Sequence, residues 1–561
     1  MTNKYLTKWM AVLLGVLLLL LPLAACGGSS ATTAAPEKEA DATETAAGTE
    51  QETTSAEGDS VVNIGVTNKL STFNPLLLDA TEVAKYAQGL SFLPLVELDS
   101  QLNFVPLLAS SVETEDNITF TVTLDEKAVW SDGVPVTSDD VIWFILNLMS
   151  ETIGNSSFST FYMFKGFDDE TGQVPDGTTE VEGLVRVDEK TLQFVAKMPI
   201  SLETFQNTFI RYILPLPKHV LGEMSPEELK TTTWFNQPEV VSGPYRMTEI
   251  DPAHYVSYVA NDNYFRGRPK IDRLNIRVRT PSQILSGLKS GEIDFVQNTM
   301  AAVPQEDFAA IAELDNVEVA FDNPVTSNLI FINTKKIPDV NMRRAMLLAI
   351  DRQQLVDGLL LGNGEIADGF LTSASPYNDG SLEPVAYDLE AAKELMAQVD
   401  WDESRVLDFK VNSGDQTFVN GANVIAAQLA EIGIKVQVTP LDIDTLLTDA
   451  ANHDCDMMAV QYTLAPVDPF PDIEWLVAYG DDSWTCYDNP EVTRLLGLTQ
   501  QASREELTEY YMAIDRIMQD EVPIINTYVL ASFGASAKRL VNAKASVYGF
   551  FNAIETWELV P

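Results

Sequence analysis

Between Val61 and Val66 apolar residues recur with the two-residue period of a strand, and Thr119 to Leu124 repeats the pattern with Phe120, Val122 and Leu124 on one face. An Asp-Gly turn at Asp132 and Gly133 follows Trp130. After it, Thr137, Ser138 and Asp139 offer N-caps for a helix carrying Val141, Trp143, Phe144, Leu146 and Leu148. The period becomes helical from Met342 to Leu361, where Asp339 or Asn341 caps the start and Gly362 ends the run. Another helix from Asn423 to Glu431 closes at Gly433, read as a left-handed C-terminal residue, and the strand Ile434, Val436, Val438 follows at once. Helix, glycine, parallel strand is the αβ step of a wound sheet, so the pattern predicts an α/β fold. No sequence repeat recurs at a short fixed period, which argues against a solenoid.

One stretch has neither period. From Trp9 to Leu21 the chain is apolar throughout, behind the cations Lys4 and Lys8, and it is too short for a spanning helix but right for a secretory signal. The Leu23-Ala24-Ala25-Cys26 that ends it resembles, residue by residue, the lipobox of bacterial lipoproteins. That resemblance implies removal of residues 1–25 and diacylation of Cys26, and two acyl chains suffice for stable anchoring. Residues 26–60 are rich in Ala, Thr, Glu, Gly and Ser, cannot repay the entropy of ordering, and are expected to be a disordered tether. At about 34 residues its mean span is on the order of 30 Å. The body is therefore expected on the outer face of the cell membrane, lipid-anchored and extracytoplasmic.

About 500 residues remain, enough for two or three lobes, with 45% of the chain apolar. A formal charge of −46 argues against nucleic acid and against an anionic lipid surface as partners. Of three cysteines, Cys455 and Cys486 remain after lipidation. They either pair as one disulfide, closing a loop of about 30 residues worth roughly 3 kcal/mol, or stay as two buried thiols. Catalytic chemistry is thin. His219, His254 and His453 have neither the i, i+4 spacing nor the CxxC partners of metal sites, and no phosphate loop, GxSxG elbow or SxxK motif occurs. Neither a metal, a cofactor nor an enzymatic activity is expected.

The segment Thr121 to Val141, TVTLDEKAVWSDGVPVTSDDV, resembles the signature of the family 5 extracellular solute-binding proteins, the dipeptide, oligopeptide and nickel receptor class of ABC importers. Six further stretches are similar to that family in order and spacing: Thr72 to Pro75, Ser242 to Tyr245, Gly291 to Asp294, Met342 to Arg352, Ile432 to Val438 and Asp488 to Val492. Each has a structural reason of its own. Gly133, Gly243 and Gly291 suit turns, Pro244 and Pro490 fix φ, and Asp294 and Asp351 cap or pair locally.

The resemblance implies a periplasmic-binding-protein-like, two-lobed clamshell of the cluster C type, with ligand closed between the lobes. The first lobe would take residues 61–321, with an insertion subdomain at about 101–201, and residues 522–561 on the chain's return. The second lobe would take 322–521, with hinges near 323–333 and 523–528. The partners implied are an oligopeptide-like ligand, an ABC permease and its ATPase subunits, met by a monomer.

In peptide-binding relatives an acid in the second lobe grips the ligand's amino terminus, and here that segment reads QYTLAPVDPFPDIEW from Gln461 to Trp475. Ala465 and Pro466 occupy the usual acidic neighbourhood, which leaves Asp468 as the first candidate anchor and Asp472 as the second. A buried ammonium needs a desolvated carboxylate within hydrogen-bond reach. Tyr462, Phe470, Trp475, Trp484 and Tyr487 are candidate stacking or pocket groups. From the first lobe, Thr81, Glu82 and Tyr86 correspond to a region that lies along bound peptide in relatives. No Arg stands out as a carboxylate clamp. An oligosaccharide cargo on the same fold, a peptide-sensing receptor without import, and an extracellular hydrolase remain the alternatives.

Overall fold

The computed structural model describes residues 59–561 apart from 68–69, 71, 79–81, 299–302, 414–415, 479, 481–482 and 550. The signal segment, Cys26, the tether up to residue 58 and Thr81 lie outside the described residues. In chain order the elements that place the site are β1 (Val61–Val66), α1 (Glu82–Gly89), β2 (Ala109–Thr114), β3 (Thr119–Leu124), α2 (Ser138–Leu148), β4 (Leu184–Arg186) and β5 (Thr191–Val195). Next come β6 (Tyr245–Asp251), β7 (Tyr255–Ala260), β8 (Arg273–Val278), β9 (Phe295–Gln297) and β10 (Val317–Ile332). The remainder are α3 (Val340–Ala349), α4 (Arg352–Leu359), β11 (Val406–Asn412), α5 (Gln416–Ala430), β12 (Lys435–Leu441), β13 (Met457–Thr463), α6 (Phe470–Val477), α7 (Pro490–Thr499), α8 (Arg504–Glu521) and β14 (Ile524–Ala537).

Two half-sheets meet in one. The order is β12-β11-β13-β10-β14-β9-β1-β8-β7-β6, with the short strand Gly364–Glu365 pairing onto β14 as the eleventh. β1 runs parallel to β8 and β9, and β11 runs parallel to β12 and β13, as helix-strand steps require. The predicted step at Gly433 is present: α5, then Gly433 at φ +82°, then β12. The chain crosses between halves on β10 and returns on β14, which pair antiparallel from Val317 opposite Ala537 to Phe331 opposite Ile524. The register slips at Asp322, Pro324 and Asn328. A separate sheet, β2-β3-β5-β4, carries the signature segment, and its Phe120, Val122 and Leu124 pack with Trp130, Phe144 and Phe205 in a core of their own. Among the described residues no helix is long and apolar enough to cross a membrane.

The motifs carry the joints of this frame. Thr137 starts α2, its N–H and hydroxyl both donating to Asp140 Oδ2 at 2.8 and 2.9 Å. Gly243 keeps a negative φ, unlike the turn conformation expected of it. It is required by space instead, because a Cβ there would sit 2.3 Å from the Leu90 carbonyl oxygen. The helix expected from Met342 to Leu361 is two helices. Ile350 turns extended at φ −89°, ψ 108°, and Asp351 caps the second by accepting from Gln354 N at 3.0 Å. Asp339 caps the first, accepting from Asn341 N at 2.8 Å. The break frees Arg352, whose buried guanidinium pairs with Asp368 and donates to the carbonyls of Ala367, Asn526 and Val385. Arg343 donates to the Ile337, Pro338 and Glu521 carbonyls, which ties α3 to the end of α8, while Arg352 ties α4 to Asn526 of β14.

Substituting Arg352→Ala leaves Asp368 buried without its cation, and is expected to cost about 3–5 kcal/mol in a urea titration. A loss below about 1 kcal/mol would mean the pair does not bear on the frame.

Candidate functional site

The segment after β13 leaves the carboxyl end of a parallel strand, the position where α/β sheets bind ligands. Its backbone is tied down: Ser375 donates to Pro466 O at 3.2 Å and Tyr377 OH to Val467 O at 3.0 Å. That fixes Asp468, which is 2% exposed. Its Oδ1 accepts from the Thr204 hydroxyl at 2.9 Å, across a sequence separation of 264 residues. Thr204 itself accepts from Ser201 Oγ at 2.9 Å. Among the described residues Oδ2 of Asp468 accepts no hydrogen bond although it is buried. Burial, and then the charges of Asp472 and Glu203, push its carboxyl up to about 7.

Thr204 ends a short helix that runs into a π-helical turn, Phe205–Ile210. Such turns occur most often as single bulges at functional sites. Next to this contact, Leu98, Leu102, Val325, Val467, Val547 and Tyr548 form an apolar seam drawn from both halves of the molecule. Elsewhere between the halves Asn117 donates to Gln500 O at 3.4 Å.

Asp472 lies in the first turn of α6 and is used by the segment before it. Its Oδ1 accepts from Tyr462 OH and its Oδ2 from Ala465 N, both at 2.9 Å, and burial lifts it to about 6. The candidate aromatics of the second half all pack in one core. Tyr462 stacks on Trp475 with centroids 6.4 Å apart, Trp475 meets Trp484 edge-on at 4.4 Å, and Trp484 meets Phe331, one run within the second half's core. Phe470 opens α6 against the same core. Tyr487 is buried in that core as well, donating to Glu521 Oε2 at 2.6 Å. In the first half Tyr86 is buried, its OH accepting from Gly549 N at 3.2 Å and its ring edge-on to Phe551. The side chain of Glu82 lies outside the described residues.

Of the two readings of the cysteines, the structure has the thiols and not the disulfide. Cys455 and Cys486 are separate buried thiols. Cys455 packs into the second half's core, where burial pushes its thiol up to about 12. Cys486, at φ +49°, turns its Sγ to His453 Nδ1 at 3.3 Å, so the two sulfurs have different neighbours.

Sequence reading missed a charged cluster beside Tyr86. Glu97 receives Lys85 Nζ at 2.6 Å and Arg211 Nε at 2.5 Å, and all three side chains are 1–3% exposed. Lys85 lies 4.5 Å over the Tyr86 ring, and Arg211 lies 5.0 Å over Tyr548 of the seam. Only the position of Arg211 directly after the π-helical turn linked it to Thr204, and the sequence gives no sign of that turn.

The chain matches the model of the bacterial extracellular solute-binding proteins, family 5, over residues 103–484, more than half its length, and it belongs to that family. It is 24% identical to the oligopeptide-binding protein AppA of Bacillus subtilis over 582 aligned positions, covering 98% of this chain and 99% of that one. The structure of AppA in complex with a nonapeptide overlays with a TM-score of 0.67 at 22% identity, covering 90% of this chain and 100% of that chain. The substrate-binding protein CtaP of Listeria monocytogenes overlays at 0.76, with 23% identity and coverage of 90% and 100%. These likenesses establish the two-lobed α/β fold.

Asp468, Asp472 and Asp515 all have carboxyls lifted to about 6 or 7 by burial. The folded state therefore binds more protons than the unfolded one between the ordinary carboxylate range and pH 7, and stability falls as pH rises through that window. Asp468→Asn is expected to raise the melting temperature of the ligand-free protein by several degrees at pH 8 and to leave it nearly unchanged at pH 4. An equal shift at both pH values would refute the buried charge.

Proposed function

We propose that this protein is a lipid-anchored receptor that captures an oligopeptide-like solute between its lobes and delivers it to a membrane permease driven by a cytoplasmic ATPase. The observation that carries the reading is the unpartnered oxygen of Asp468, a buried acceptor at the junction of the two halves. A ligand ammonium placed there supplies both the missing hydrogen bond and the missing charge. The lobes are residues 61–321 with 522–561, and 322–521, with the insertion at about 101–201. The register slips of β10 near Asp322 and Asn328 are where hinge motion would be absorbed. Cys26 carries the lipid and residues 26–60 the tether.

The named relatives support the peptide class, since AppA is an oligopeptide-binding protein and its structure holds a nonapeptide. The aromatic groups on which a sugar would stack, Tyr462, Trp475 and Trp484, stack on one another. That favours peptide over oligosaccharide. The receptor performs no chemistry of its own.

Native mass spectrometry of the purified protein, with fragmentation of whatever leaves on activation, is expected to release a spread of peptide masses. A ladder of hexose spacings would replace this reading with sugar import. With a peptide in hand, affinity is expected to rise from pH 5 to pH 8 as Asp468 ionises through about 7, because the ammonium binds the carboxylate and not the acid. Asp468→Asn is expected to remove that rise and to weaken binding by about 2–5 kcal/mol. Calorimetry showing unchanged affinity in the variant would discard Asp468 as the anchor.

A further inference from the structure

Asp468 is not the only group placed after the carboxyl end of a parallel strand. In the first half β9 runs parallel to β1 and leads to the helix Gln305–Ala312, and in the second β11 runs parallel to β12 and leads to α5. A cavity of about 250 Å³ lies between these two segments. Its wall from the first half is Gln305; its wall from the second is Gly358, Leu359 and Leu361 at the end of α4, with Thr417 and Asn420 of α5. A cavity walled by both halves at the carboxyl ends of their strands stands where α/β proteins hold ligand. Its volume falls below the about 300–1,000 Å³ of pockets that enclose a whole small molecule, so it has room for one side chain of a longer ligand.

The lining is two carboxamides, a hydroxyl, two leucines and a glycine, and none of these six residues carries a formal charge. Three observations show what would fit. Oε1 of Gln305 is buried and accepts no hydrogen bond among the described residues. Leu361 is 61% exposed, an apolar surface that an occupant would cover. A Cβ on Gly358 would meet nothing within 4 Å, so the space continues up to the backbone of α4. The cavity therefore offers an acceptor in need of a donor at one wall and hydrocarbon at the other.

We propose that this cavity is a side-chain subsite for a ligand residue with an aliphatic stem and a carboxamide end, which among the common amino acids is glutamine. This rests on the reading of the chain as a peptide receptor and adds what that reading leaves open, a preference among side chains. The stem lies against Leu359 and Leu361, and the carboxamide nitrogen donates to Gln305 Oε1. Glutamate has the same shape, yet it brings a second acceptor to that oxygen and a charge to a lining that holds no cation. Leucine fills the space and leaves Oε1 without a donor. Because the two walls belong to different halves, a residue seated here also joins them.

The test uses the purified protein in calorimetry, with pentaalanine and its variants that carry glutamine or glutamate at one position. The expected result is one position at which glutamine binds about tenfold more tightly than alanine while glutamate does not. Gln305→Leu is expected to erase that preference and Gln305→Lys to turn it towards glutamate. Gly358→Met, which adds a side chain to the opposite wall, is expected to erase it as well and covers the case in which the Gln305 variants fail to fold. No position that separates glutamine from glutamate, or a preference that survives both Gln305→Leu and Gly358→Met, overturns the subsite. Propionamide and propionate, followed by saturation-transfer NMR, separate the two readings. A propionamide signal that is absent in Gln305→Leu, with no pentapeptide bound, leaves the subsite standing and removes the peptide assignment. Pentapeptides that bind without a glutamine preference keep the peptide assignment and remove the subsite, and binding of neither probe removes both.

Discussion

The pairing of β10 with β14 is the constraint on which everything else depends. These two strands are the shared centre of the sheet, and each belongs to both halves. Their length gives continuity, while the slips at Asp322, Pro324 and Asn328 interrupt the ladder where the chain passes between the cores. Buried polar side chains cluster at that passage: Asn526 donates to Ser327 Oγ at 3.0 Å, and Thr527 donates to Asn328 O at 2.9 Å. A purely apolar crossing would pack in many registers, whereas these bonds accept one. Arg352 reaches the same strand at the Asn526 carbonyl and Arg343 reaches Glu521 at the end of α8 just before it, so the helices of the second half are referenced to this crossing.

The junction between the halves spends stability to hold chemistry. An apolar seam from Leu98 to Tyr548 excludes water, and within it a carboxylate is kept with one oxygen unanswered. Nothing in the packing requires Asp468 there, since Asn would accept equally from Thr204. The acid is held there against its solvation preference, its carboxyl pushed up to about 7 by burial. The Lys85–Glu97–Arg211 cluster is the counterweight on the first half, a buried net positive charge wedged among Tyr86, Tyr212 and Tyr548.

Local structure was legible in the chain where periodicity and capping agree, as at Thr137, Asp339 and Gly433. Apolar spacing also ran straight through Ile350, because α3 and α4 bury their faces in one core and so share one pattern. A break in the backbone leaves no trace in such a pattern. The family resemblance located the crossing strands and Asp468, which no local rule would single out. The long-range contacts of Thr204 with Asp468 and of Glu97 with Arg211 join residues 264 and 114 positions apart, beyond any periodic signal. The cysteine spacing likewise said nothing of where each Cβ points, and Cys486 points at an imidazole.

The order in which the chain is made and exported has its own bearing on β14. It sits between β9 and β10 and follows every other strand of that sheet in the chain. Until it arrives, both of those strands present bare edges and neither half-sheet can close. The two half-sheets therefore stay unjoined until β14 pairs with both, which makes the joining of the halves the step that chain order leaves to the end of the sheet's assembly.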